Sequence, residues 1–131
     1  ASDVYKRQVR TGTADDAQGG KCMTVNILGT EYEIIEATAA EDAMLEKCDG
    51  YCDKTVKTIV ISKKAKDCDL KDFSVYQKKV MRHEIIHAFL FESGLSENFT
   101  HPEYGHDETY VDWIASQFPK MCEVFKEVGC L

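Results

Sequence analysis

His83-Glu84-Ile85-Ile86-His87 places two imidazoles four residues apart, with a carboxylate directly after the first. On an α-helix, positions i and i+4 face the same way, so both rings can reach one metal ion. Glu84 sits about 100° further round a helix of 3.6 residues per turn and points beside such an ion instead of binding it. A general base is needed there. Zinc lowers the pKa of a bound water toward about 7, and a carboxylate within hydrogen-bond reach takes its proton as the water attacks a carbonyl. The spacing therefore predicts hydrolysis assisted by one zinc ion, with His83 and His87 as ligands and Glu84 as catalytic base.

A catalytic zinc takes three protein ligands and keeps one position open. The segment Asp107-Glu108-Thr109-Tyr110-Val111-Asp112 offers the third. Glu108 and Asp112 are again four apart, so both carboxylates project from one helical face: Glu108 is expected on the metal and Asp112 behind it, hydrogen-bonded to His83. Two competing roles are open to these residue types. Glu108 can simply favour a helix N-terminus electrostatically, and His101 and His106, in the intervening loop, are rival third ligands. His106, Tyr104 and Tyr110 are the candidates for stabilising an oxyanion.

The elements that must position these groups follow from local pattern. Met23 to Leu28 and Tyr32 to Glu36, separated by Gly29-Thr30, read as a β-hairpin. Thr38-Ala-Ala-Glu41 is a capping box and predicts a short helix through Lys47. Gly50 to Asp53 and Thr58 to Ser62 form a second hairpin around Lys54–Lys57. Ser74-Val-Tyr-Gln77, another capping box, opens a helix that runs from Val75 to Ser93-Gly94. Its stripe of Tyr76, Val80, His83, His87 and Leu90 puts both histidines on the buried face. From Asp107 a second helix carries Val111, Ile114, Ala115, Phe118, Met121, Cys122 and Phe125 at helical spacing, with Pro119 expected to kink or split it. Trp113, Phe118, Phe89 and Phe91 fall inside these patterns and carry no assigned function. The fold class is α+β: a small antiparallel sheet of two hairpins, then two long helices.

Composition sets the outer bounds. With 131 residues there is room for one catalytic domain, expected over residues 21–131, preceded by a disordered or non-native segment over 1–20. Residues 1–8, ASDVYKRQ, resemble translated adapter read-through and are left out of the fold reasoning. A formal net charge of −7 argues against a nucleic-acid partner, since phosphate affinity depends on clustered Lys and Arg. No apolar run approaches the roughly 18 residues of a spanning helix, so no membrane partner is expected. The polar start does not read as a secretory signal, which points to a cytoplasmic setting. Six cysteines, with a C-x3-C at Cys48 and Cys52 but no C-x2-C pair, read as reduced structural thiols.

HEIIH followed by DETYVD resembles the gluzincin zinc peptidases, in which a second helix supplies a glutamate and, four residues on, an orienting aspartate. The resemblance implies a minimal zincin-like fold and carries over His83, His87 and Glu108 as zinc ligands, Glu84 as base and Asp112 as the group orienting a histidine. Asp107 stands where an asparagine is often found. More closely, DGYCDKTVKTIVIS through KKVMRHEIIHAFLFESGL to ETYVDWIASQF resembles small metallopeptidases encoded by phages and gut Firmicutes. A looser similarity reaches the ImmA/IrrE-type peptidases. These resemblances imply a peptide or protein substrate in a bacterial host or phage setting. The strand before the active-site helix, Thr58 to Ser62, is then a candidate sheet edge for an extended peptide, or else an ordinary core strand. The alternative function is a catalytically inactive zinc-binding accessory protein of phage origin, and a zinc-stabilised structural module would instead require four closed ligands.

Overall fold

The computed structural model describes residues 22–97 and 107–131. The N-terminal segment 1–20 and the loop residues His101, Tyr104 and His106 lie outside them. Four strands, β1 (Cys22–Ile27), β2 (Thr30–Ala37), β3 (Gly50–Asp53) and β4 (Thr58–Ser62), are followed by helices α1 (Phe73–Ser93) and α2 (Glu108–Glu127). The α+β class is as the sequence implies. No helix of the described residues is long and apolar enough to cross a membrane.

Both hairpins form where expected. Between β1 and β2, Leu28 and Gly29 both take positive φ, 50° and 92°, the combination that a two-residue type I′ turn requires. How the hairpins join differs from the expectation. The sheet order is β1-β2-β4-β3, and β2 pairs with β4 in parallel, Glu33 opposite Thr58 through Ala37 opposite Ser62. The sheet is therefore mixed, and β4 is an inner strand; β3 is the edge on that side, which corrects the placing of Thr58 to Ser62 at the edge. The physical reason is legible in β4 itself. Ile59 and Ile61 pack in the same cluster as Tyr32, Ile34, Cys52 and Ala88 of α1, whereas Val60 packs with Ala37, Met44, Leu45 and Tyr51. A strand covered on both faces needs an uninterrupted apolar run, and that run belongs to the interior of a sheet.

The second cover comes from residues 38–47. The Thr38 capping box does close: Glu41 Oε2 accepts from the Thr38 N–H, and the Glu41 N–H reaches Thr38 Oγ1. It closes a turn and not an α-helix, because Asp42 then caps a short 3-10 turn, Ala43–Glu46, whose Met44 and Leu45 go under the sheet. Asp42 also accepts from the Tyr51 hydroxyl, tying this segment to β3.

Helix α1 starts earlier than its second capping box suggests, since Asp72, not Ser74, is the N-cap and accepts from Ser74 N–H. Gly94 closes it in the left-handed conformation, φ 81°. Helix α2 starts at its cap Asp107 and is not split at Pro119. A proline leaves the carbonyl four residues earlier without its helical donor. That carbonyl is Ala115 O, and Arg82 Nε of α1 donates to it at 2.6 Å. The break is thus mended from the neighbouring helix, one residue before His83.

Candidate metal centre

The site forms where α1, the start of α2 and the leading end of β3 meet. His83 and His87 stand one turn apart on α1, with ring centroids 4.7 Å apart. Their Nε2 atoms are 3.0 Å apart. Glu108, on the first turn of α2, spans the pair: Oε2 lies 3.1 Å from His83 Nε2 and Oε1 lies 2.9 Å from His87 Nε2. Among the described residues this is the one group of three ligating side chains close enough to share a metal ion.

The partner of His83 fixes what its ring can offer. Its Nδ1 lies 3.3 Å from Asp112 Oδ1, and a carboxylate only accepts, so Nδ1 is the donor toward Asp112 and Nε2 is the ring atom that faces the cluster. Asp112 in turn lies 3.3 Å from Lys79 Nζ, one helical turn before His83. Imidazole lone pairs and a carboxylate directed at one another repel unless a proton or a cation lies between them. A tetrahedral zinc at about 2.0–2.1 Å would hold its donors about 3.3 Å apart, close to the separations found here. The residues therefore fit a metal ion in both chemistry and spacing.

Glu84 is the most deeply enclosed acid of the site, 2% exposed, and its Oε1 lies 4.0 Å from His83 Nε2, beside the ligand set and not within it. The sequence stripe through the histidines is offset from the packing. Met81, Ile85 and Ala88 take the sheet-facing positions, His87 is buried, and His83 is half-buried because its edge opens to a cavity. Phe91 stacks against His87 with ring centroids 6.4 Å apart, which gives that aromatic a role in holding the ring. Trp113, Phe118 and Phe89 are exposed.

The cavity, about 260 Å³, is lined by Cys48, Asp49 and Gly50 before and in β3, by Tyr76, Lys79, Val80, His83 and Glu84 of α1, and by Glu108 and Asp112 of α2. Gly50 is a residue that pattern reading passes over. A Cβ there would lie 2.8 Å from Val80 Cγ1, 3.0 Å from Val60 O and 3.3 Å from Glu84 Cγ, so its absence lets β3 close on the helix beside Glu84. Tyr76 and Lys79 are likewise missed as site residues; their signal was the shared helical face, one and two turns before His83. Tyr110 is half-buried on α2 and does not line the cavity. Asp107 accepts from Thr109 N–H at 2.7 Å as the α2 cap. None of the six cysteines is in a disulfide, and burial raises the pKa of the Cys48 thiol. The chain matches no protein-family model, no curated protein and no solved structure.

Proposed function

We propose that the protein is a zinc-dependent metallopeptidase, with His83, His87 and Glu108 as ligands and Glu84 as general base. The observation that carries this reading is the convergence of both Nε2 atoms and the Glu108 carboxylate, with Glu84 buried alongside at 4.0 Å from His83 Nε2. A zinc ion held there supplies Lewis acidity and acidifies a bound water. Glu84 takes the proton of the attacking water and delivers it to the leaving amine. Its enclosure among Gly50, Val80 and the sheet keeps the carboxylate on one aim and away from bulk water. Asp112 holds the His83 ring in the tautomer that presents Nε2. The cavity beside the cluster gives a substrate segment room to lie against these groups.

The test is metal analysis of purified wild type and Glu108→Ala, with cleavage of a mixed peptide library by wild type and Glu84→Gln. The expected outcome is one zinc per wild-type chain, loss of that zinc in Glu108→Ala, and a fall in turnover of at least about 100-fold in Glu84→Gln with zinc retained. Zinc bound without any cleavage by the wild type would replace this reading with a non-catalytic zinc-binding protein. Undiminished turnover in Glu84→Gln would remove the base from the mechanism.

A further inference from the structure

The cavity wall carries an exposed acid, Asp49, that is set apart from the histidine cluster. Among the described residues Lys79 is the one lysine or arginine that lines the cavity, and its Nζ already lies 3.3 Å from Asp112 Oδ1. Glu108 faces the two histidines. Asp49, at the cavity's other end just before β3, is exposed and hydrogen-bonded through Oδ2 to the Tyr76 hydroxyl. Among the described residues no lysine or arginine pairs with it. A phenol O–H orients a carboxylate without neutralising it. The Asp49 bond pushes the Tyr76 pKa up to about 12, so the phenol stays a neutral donor at physiological pH.

Size and lining narrow what this end of the cavity accepts. The whole cavity, its histidine end included, is about 260 Å³, below the roughly 300–1,000 Å³ of sites that enclose drug-sized ligands, so the part beside Asp49 suits at most one side chain. Val80, Cys48 and the methylenes of Lys79 offer apolar wall, while Asp49 offers an anion at the exposed end. An apolar stem with a cationic tip meets both, as lysine and arginine side chains do. An acidic side chain would meet Asp49 head-on, with Lys79 already engaged by Asp112.

We propose that this cavity is a specificity subsite for a lysine or arginine side chain next to the scissile bond, with Asp49 as its counter-ion and Tyr76 as the residue positioning Asp49. The assignment rests on the metallopeptidase reading above. It is tested on zinc-loaded protein with peptide sets identical except for Lys, Leu or Glu at the positions flanking the scissile bond. In wild type, kcat/KM for Lys over Leu is expected to be about tenfold at one flanking position, equivalent to about 1.4 kcal/mol. Asp49→Asn should bring that ratio close to one, and Asp49→Lys should turn the preference toward Glu. Tyr76→Phe leaves the charge in place and should lower the ratio only in part. Each ratio is taken within one variant, so a loss of folded protein cancels.

Absence of a basic preference in wild type, or its survival in Asp49→Lys, would overturn the subsite. If wild type cleaves no peptide, the peptidase reading itself has failed. The subsite is then judged by calorimetric titration of zinc-loaded Glu84→Gln with the same peptides. Lys peptides binding about tenfold tighter than Leu peptides would uphold Asp49 as the counter-ion, and equal binding would overturn it.

Discussion

Two polar clusters hang from α1, five residues apart, and they are built on opposite rules. At the C-terminal end, Glu92 gathers three donors: the Tyr32 hydroxyl at 2.7 Å and Lys57 Nζ at 2.5 Å on Oε1, and Thr30 Oγ1 at 3.0 Å on Oε2. One acceptor group meets three donors, and the cluster is complete with protein atoms alone. One turn earlier, two imidazoles and the Glu108 carboxylate bring ring nitrogens and carboxylate oxygens within 2.9–3.1 Å of one another. That cluster needs a proton or a cation shared among its members, and its spacing suits an ion. The comparison separates two kinds of polar cluster: donors matched to acceptors make a latch, and converging ring nitrogens and carboxylate oxygens make a group that could hold a metal ion.

The contrast predicts a large difference in response to metal. Zinc at about 1,000 times its dissociation constant should stabilise the wild-type fold by about 4 kcal/mol, because binding to the native state alone adds its free energy to folding. Glu108→Ala should lose nearly all of this gain, and Glu92→Gln should keep it. Thermal unfolding of the three proteins with and without zinc makes the comparison. An equal zinc response in wild type and Glu108→Ala would end the claim that the acceptors are gathered for an ion.

The next effect is smaller and concerns Asp112, which would reach a bound ion only through His83. Asp112→Ala removes the acceptor that holds the Nδ1 proton, and it should weaken zinc affinity about 10- to 100-fold, measured by competition with a chelator of known affinity. Lys79 loses its partner in the same variant. An affinity within twofold of wild type would mean that packing against His87, and not Asp112, orients the ring.

The site was more legible in the sequence than the sheet that carries it. His83, Glu84 and His87 are fixed by helical geometry within five consecutive residues, and Glu108 with Asp112 repeats the four-residue spacing, so local periodicity was enough to group them. The parallel join of β2 to β4 could not be read that way. It depends on residues 38–47 crossing beneath the sheet, and their capping box pointed to a helix where a turn and a 3-10 segment form. The apolar run Ile59-Val60-Ile61 did hold the answer, since only a strand covered on both faces needs it. Gly50 and Asp49 gave no local signal at all, because their significance lies in close approach to Glu84 and Tyr76 across the fold. Pro119 misled because its remedy, Arg82, comes from another helix.

The smallest effect tests the closed cluster. Its hydrogen bonds, that from Lys57 first and then that from Tyr32, hold the Glu92 carboxyl down from 4.5 to about 2. A carboxylate whose pKa is depressed on folding adds stability that is fully present above its unfolded value and is lost as pH falls through the folded one. The contribution of Glu92 should therefore be constant above about pH 5 and fade between about 4.5 and 2. Glu92→Gln keeps the shape and removes the charge, and should cost about 1–2 kcal/mol at neutral pH, since Lys57 is partly exposed and its attraction is screened. Urea unfolding of both proteins from pH 7 to pH 2 should show the gap narrowing on acidification. A gap that stays flat would mean the latch works through shape alone. Zinc should leave the gap unchanged within about 0.5 kcal/mol, as expected of clusters separated by about 7.5 Å of helix with no shared partner. A gap that moved with zinc would instead make α1 a coupled element, with its latch and its metal centre responding as one.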